Sequence, residues 1–403
     1  MKLTSRIKQI SLALLVGYLL VLTVQQIFFP RLIYLSNQSG DSRKFGYALA
    51  VDGNYLAIGD PGANRVVLYH RGFRGRWRRM QNILPPEGSS TARAGLGFGY
   101  SLDLKDGILA IGSYDTNILG LSRIAPPNWY LGEVYVTTVR DHSIEPVRKI
   151  LLPDSGWISG HSVALYGKKL AFAAEKYTAP GDLVGTILST DLVGGVVEHL
   201  VGYPGPSIFT ARTRSSMDAK GDLLLIGDQN IQPFGGGHLV MADGRIEPVI
   251  LSRTAFNSTD TPVGASAILI ANDVVVLGIV SEWNTQETLF LRRSISGQWV
   301  TFATVSSGGL FDANSSQFLI SVSPFRGMSE RKVQLGHILV RVNKEDVVIQ
   351  SKIRWRRGWI DWLNGKFNHC PTNGIIDEER LLLSSQGRVV SVASSNLPSS
   401  YWI

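Results

Sequence analysis

The chain of 403 residues has one cysteine, Cys370. No intramolecular disulfide can brace it, so its stability has to come from packing. A catalytic thiol needs a positioned base, and the adjacent His369 would point away from it along an extended chain. Cys370 therefore reads as an incidental free thiol. The seven histidines are scattered, with no His-x-x-x-His and no paired cysteines, which removes the usual zinc patterns. Charge of one sign concentrates only locally, as in the cationic and aromatic run Arg71 to Arg79 at the end of the first repeat unit. The net charge is +8, yet Lys and Arg are spread along the chain and no nucleic-acid motif occurs, so no nucleic-acid partner is expected. Disorder is excluded by an apolar fraction of 44%, enough for a substantial core.

What is abundant is glycine, 42 residues, and a repeat. Phe45 to Tyr69 reads FGYALAVDGNYLAIGDPGANRVVLY, and Phe98 to Val136 opens FGYSLDLKDGILAIGSYD and ends GEVYV. Each copy alternates apolar and polar residues, as half-buried strands do, around the hairpin turns Asp52-Gly53 and Asp106-Gly107. A period of about 50 residues indicates an array of small sheets. Weaker copies follow at Gly160 to Glu175, Ser216 to Asp228 with Gly236 to Val240, Gly264 to Leu291, Gly308 with Gly336 to Val340, and Gly374 to Val392. That makes seven units of about four strands. Outer strands are expected at Arg76 to Leu84, Gln298 to Val305 and Val347 to Trp355. The seventh unit runs out of chain, so Arg31 to Leu35 is expected to complete it and close the ring, leaving no open edge.

Before that strand lies an apolar run from Ile10 to Phe29, preceded by Lys2, Arg6 and Lys8 and followed by Pro30 and Arg31. Twenty helical residues span about 30 Å, the hydrocarbon thickness of a bilayer. No small-x-small cleavage site follows the run, so an uncleaved signal anchor is expected rather than a cleaved signal peptide. The basic residues ahead of it favour a cytoplasmic N-terminus. The expected organisation is thus a stub and transmembrane anchor over 1–29 and one all-β seven-bladed propeller over 30–403, outside the cytoplasm. Asn37, Asn257 and Asn314 are glycosylation sequons, relevant only in a eukaryotic luminal or extracellular setting.

The Phe-Gly starts and the Ile58-Gly59-Asp60-Pro61 sequence resemble the FG-GAP repeat of integrin alpha-subunit propellers and bacterial surface proteins. Gly75-Arg76-Trp77 and Gly297-Gln298-Trp299 resemble the outer strand of the bacterial form. The resemblance implies a seven-bladed propeller engaged in adhesion, scaffolding or protein binding, with a protein or glycan ligand. Many such repeats hold calcium in the first hairpin. Calcium takes about six to eight oxygens, and turns such as Gly167-Lys168-Lys169 and Lys220-Gly221-Asp222 are too short and carry lysine. No metal or cofactor is expected.

Two groups of residues are candidates for binding. Asp60, Asp115, Glu175, Asp228 and Glu282 fall at or just after the second strand of their units. In a ring these would gather on one face and bind a cation or a basic partner. Acidic residues also favour turns for solvation alone. The second group is Trp355, Arg356, Arg357, Trp359 and Trp362, in an extension of unit six. Arg suits phosphate or carboxylate, and Trp suits sugar faces or a bilayer interface. No catalytic residues stand out, and Gly160-His161-Ser162 reads as strand rather than nucleophile elbow, because the repeat places Ser101 in the same column. The rival class is a glycan-acting hydrolase or lyase, which needs a carboxylate pair that nothing in the sequence selects.

Overall fold

The computed structural model describes residues 33–36, 44–72, 76–89, 97–114, 132–140, 143–152, 157–179, 182–192, 195–203, 217–228, 231, 236–251, 262–271, 274–281, 286–306, 310–313, 317–322, 336–342, 347–354, 373–377, 380–385, 388–393 and 400–402. The apolar run 10–29 lies outside them. No helix among the described residues is long and apolar enough to cross a membrane.

Alternating apolar runs separated by tight turns fold as consecutive hairpins. β1 (Ile33–Ser36) comes first. Sheet 1 follows as β2 (Leu49–Asp52), β3 (Tyr55–Asp60), β4 (Arg65–Arg71) and β5 (Trp77–Ile83). Sheet 2 is β6 (Phe98–Lys105), β7 (Ile108–Tyr114) and β8 (Gly132–Arg140), with its outer edge split into β9 (Ser143–Ile144) and β10 (Arg148–Lys149). Sheet 3 is β11 (Trp157–Tyr166), β12 (Lys169–Ala179), β13 (Asp182–Asp191) and β14 (Glu198–Tyr203). Sheet 4 is β15 (Met217–Lys220), β16 (Leu223–Asp228), β17 (Gly236–Met241) and β18 (Ile246–Ile250). Sheet 5 is β19 (Pro262–Ala271), β20 (Val274–Ser281), β21 (Gln286–Arg293) and β22 (Trp299–Ser306). Sheet 6 is β23 (Leu310–Ala313), β24 (Gln317–Val322), β25 (Gly336–Val342) and β26 (Val347–Arg354). Sheet 7 is β27 (Asn373–Asp377), β28 (Arg380–Ser385) and β29 (Arg388–Ala393), and β30 (Ser400–Trp402) ends the described chain.

The innermost strands β2, β6, β11, β15, β19, β23 and β27 neighbour one another in that order, and β27 lies beside β2. The sheets therefore form a ring. β1 pairs antiparallel with β29, Ile33 opposite Ser391 and Ser36 opposite Arg388, and is the outer strand of sheet 7. The end of the chain takes a route that the repeat does not announce. β30 adds to the outer edge of sheet 6 in parallel with β26. The outer strands β14 and β18 are likewise absent from the sequence pattern. Their sequences EHLVGY and IEPVI are too short to show a period.

Sheets pack face to face through the alternating residues. Ala50, Ala57 and Leu68 of sheet 1 meet Phe98, Leu109, Ile111 and Tyr135 of sheet 2. Leu35 of β1 packs with Leu56, Ile58 and Trp77 on the other side of sheet 1. The up-and-down order gives the ring two faces. The first hairpin turn of each sheet, and the third in sheets 1 to 6, lie on one, here the turn face. The connections from second to third strand and from sheet to sheet lie on the other, the loop face.

At the loop face the sheets touch backbone to backbone. A Cβ placed on Gly59 of β3 would sit 2.1 Å from the carbonyl oxygen of Gly99 in sheet 2. One on Gly112 of β7 would sit 2.2 Å from the carbonyl oxygen of Gly160 in sheet 3 and 2.1 Å from Ser101 Oγ. The repeated Ile-Gly of one unit thus abuts the Gly that begins the next. Gly99 and Gly160 have φ of +86° and +91°, which side chains rarely adopt.

Gly112→Val is expected to cost about 3 kcal/mol or more, because overpacking is compounded by a clash with fixed backbone. Gly53→Ala, at φ +53° with nothing within 4 Å, should cost only about 1 kcal/mol. Urea unfolding midpoints of the two variants should separate clearly, and equal midpoints would refute the packing argument.

Candidate functional site

The same glycines shape the loop face. In sheet 2 the ladder runs Phe98 opposite Ser113 and then Ser101 opposite Gly112, leaving Gly99 and Tyr100 as a bulge. In sheet 3 it jumps from Ser159–Ala174 to Val163–Phe172, leaving Gly160, His161 and Ser162 between. A bulge bends its strand and re-aims the side chain beside it. Phe45 and Phe98, ahead of the glycines, are buried in the core. The residues behind them gather. Tyr47 and Tyr100 have ring centroids 4.7 Å apart, and Tyr100 lies 5.5 Å from His161. Tyr114, at the end of β7, completes the group at 5.4 Å from Tyr100 and edge-on to His161 at 5.2 Å. The cluster spans sheets 1 to 3, with Tyr47 and Tyr100 half-buried and Tyr114 and His161 buried. Such spacings are those of favourable aromatic pairs.

Buried carboxylates lie on the same side of the ring. Asp60, at the end of β3, is fully buried, and both Nε and Nη2 of Arg65 lie 3.0 Å from its Oδ2. Asp228, at the end of β16, is 5% exposed, with His238 Nε2 at 2.8 Å from Oδ2. Sheet 2 has Ser113 in the equivalent place, opposite Glu133. There Glu133 is buried and accepts from the Tyr135 hydroxyl and Lys149 Nζ. Glu175 is buried within β12, opposite Ile158. It is one residue out of step with Asp60 and Asp228, so by alternation it faces the following sheet rather than the preceding one.

Of the residues singled out from the sequence, the structure thus places Asp60, Glu175 and Asp228 at this end of their sheets. They are buried side chains, with Asp60 and Asp228 paired to bases, and are not solvated turn residues. Asp115 and Glu282 lie outside the described residues, as do Trp355, Arg356, Arg357, Trp359 and Trp362. Among the described residues no cluster of His, Cys, Asp and Glu could hold a metal ion. The aromatic cluster and the Glu133–Tyr135–Lys149 group were not singled out. The signal for the first was present, since Tyr47, Tyr100 and His161 follow the aligned glycines of three units.

Nearer the turn face, Asp103 ties sheet 2 to sheet 3. Its Oδ2 accepts from the backbone N–H of Leu165, 2.6 Å away on the inner edge of β11, and its Oδ1 from Leu104 at 2.8 Å. Burial pushes this carboxyl up to about 6, against the lowering effect of the two N–H donors and Lys105, with Asp52 adding a small upward push. Gly107 N–H donates to Asp52 in the same manner across sheets 1 and 2, at 3.1 Å.

The fold is a β-propeller scaffold. The chain resembles the structure of an oligogalacturonate lyase in complex with manganese, at 10% identity over 92% of this chain and 98% of that one, with a TM-score of 0.51. Weaker likenesses are to the N-terminal domain of Nup159, at 9% identity over 90% and 95% with a TM-score of 0.48, and to the β-propeller domain of the Trilobed protease from Pyrococcus furiosus, at 13% over 70% and 76% with 0.38. At these identities the first likeness speaks for the fold alone. No family model and no curated protein matches the chain.

Two outcomes are expected from these groups. Asp60→Ala removes the buried carboxylate paired with Arg65 and should cost about 3 kcal/mol in chemical unfolding, and a loss within experimental scatter would contradict the buried pair. Asp103, raised above its unfolded value of 3.8, binds its proton more tightly when folded. Its contribution is full below pH 4 and is lost as pH rises through about 6. Thermal melts should show stability falling over that window, and Asp103→Asn should flatten the fall.

Proposed function

We propose that the chain is an FG-GAP-type, seven-bladed propeller carried outside the cytoplasm on an N-terminal anchor, and that it is a protein-binding, adhesion or scaffolding module. Ligand, protein or glycan, meets the loop face. The observation that carries this reading is the aromatic cluster of Tyr47, Tyr100, Tyr114 and His161. Bulges turn Tyr100 and His161 out of the ladder, and Tyr47 and Tyr114 pack against them. Paired acids lie at the same end of the sheets. Support for the repeat family comes from the glycine contacts, which give a physical reason for both Phe-Gly and Ile-Gly. Seven sheets in a ring with β1 as the last outer strand support the blade number and the single domain over 30–403.

A second reading, a glycan-acting hydrolase or lyase, draws on the Asp228–His238 pair at the same face, since a histidine oriented by a buried carboxylate is a competent base. One experiment separates the two. The full chain in detergent is used for affinity capture, as wild type and as Tyr47→Ala/Tyr100→Ala. Loss of a discrete bound partner by tenfold or more in the folded variant supports the binding module. Retention unaffected by the variant, together with oligosaccharide turnover that disappears in His238→Gln, would favour the enzyme.

A further inference from the structure

The two faces of the ring differ in how they hold their charged groups. The loop face buries Asp60, Glu133, Glu175 and Asp228. The turn face carries cations. Arg71 and Arg76 border the outer hairpin of sheet 1, Arg140 that of sheet 2, and Lys168, Lys169 and Lys220 the inner hairpins of sheets 3 and 4. The hairpins are drawn together. Gly167 N–H donates to the Gly221 carbonyl at 2.8 Å, and Lys105 Nζ reaches the same carbonyl from sheet 2 at 2.6 Å. Arg71 Nη2 reaches the Gly53 carbonyl at 2.6 Å, linking the two turns of sheet 1. The acids here are fewer. Asp106 and Asp222 are exposed in the inner hairpins of sheets 2 and 4, Asp191 and Glu198 are exposed at the outer hairpin of sheet 3, Asp377 opposes Arg380 at the inner hairpin of sheet 7, Asp52 accepts from Gly107 N–H, and Asp243 is paired with Arg245.

Strand direction fixes where the N-terminal segment enters. Arg380 opposes both Asp377 and Ala393, so the Ala393 end of β29 lies at the turn face. Ile33 opposes Ser391 near that end, whereas Ser36 opposes Arg388 at the loop face. β1 therefore enters from the turn face. Only Pro30, Arg31 and Leu32 separate it from the apolar run ending at Phe29, and three residues reach at most about 11 Å. That reach is close to the Debye length of about 10 Å at 0.1 M salt, so charges on the turn face still feel a charged surface.

We infer that the turn face lies against an anionic phospholipid surface and that the loop face points away from it. This rests on the reading of residues 10–29 as a membrane anchor. The short tether confines the ring, and the basic hairpins choose its orientation by attraction to lipid phosphates. The aromatic cluster is thereby turned to ligands on the far side.

The test uses full-length protein carrying Cys370→Ser and one fluorescent label, at Asn54→Cys on the turn face or Ser89→Cys on the loop face. It is reconstituted in vesicles of phosphatidylcholine alone or with about 30% phosphatidylglycerol. Energy transfer to a headgroup acceptor should be several-fold stronger from position 54 than from position 89. The gap should widen with phosphatidylglycerol and narrow in high salt. Lys168→Glu/Lys169→Glu, at exposed and half-exposed positions, should abolish the phosphatidylglycerol dependence without releasing the protein. Equal transfer from both positions, or stronger transfer from position 89, would overturn the orientation. A gap indifferent to lipid charge and salt would overturn the role of the basic hairpins. Release by alkaline carbonate would instead refute the anchor, and this inference with it.

Discussion

The structure depends on how closely adjacent sheets approach at the loop face. Gly59 against Gly99 and Gly112 against Gly160 leave no room for a Cβ on either side. Twisted sheets packed by side chains alone ordinarily stand about 10 Å apart. Arranged radially, they must come nearer than that along the inner edge, and glycine removes the obstacle. The positive φ of Gly99 and Gly160 then sets the bulge that follows. One constraint therefore accounts for the ring geometry, for the Phe-Gly and Ile-Gly signatures, and for the aromatic side chains displaced toward the loop face.

Closing a ring still leaves polar groups to satisfy. Each innermost strand has an edge with no neighbour in its own sheet. Asp103 meets the β11 edge at Leu165, Ser101 Oγ donates to the Gly160 carbonyl, and Asn64 Oδ1 accepts from Phe98 N–H. These contacts cross between sheets and substitute for the missing ladder. The chain ends serve the outer edges. β1 joins sheet 7, and β30 covers β26 of sheet 6. Burying a carboxylate such as Asp103 for this purpose carries a cost, visible in its upward shift to about 6.

A consistent polarity follows from the repeat itself. First-to-second hairpins are short and accept lysine, as at Lys105, Lys168 and Lys220. The positions ending second strands accept acids, as at Asp60 and Asp228, because the third strand supplies Arg65 and His238 within reach. Repetition stacks like upon like, so a small bias in each unit becomes a difference between faces.

Much of this was legible in the chain. Alternation and the Asp-Gly turns specify hairpins because side-chain direction in a strand reverses at every residue, and that rule is local. The missing outer strand of the last unit pointed to Arg31–Leu35, since an unpaired edge is costly wherever it occurs, and the strand found there is Ile33–Ser36. The candidate acids Asp60 and Asp228 were visible as a repeated position, but their burial and their bases were not. Arg65 is close in sequence, yet its pairing depends on the register of β3 against β4. His238 reaches Asp228 only because β17 pairs beside β16. The aromatic cluster joins Tyr47, Tyr100 and His161, more than fifty residues apart at each step, through two bulges whose angle no local pattern expresses. β30 joins sheet 6, which precedes its own unit, because an open edge there was within reach. The sequence by itself determined strands, turns and the repeat, all set by neighbours along the chain. Only the tertiary structure decided which repeats touch, which charges are buried and which face each side chain reaches, because those depend on distances across the ring.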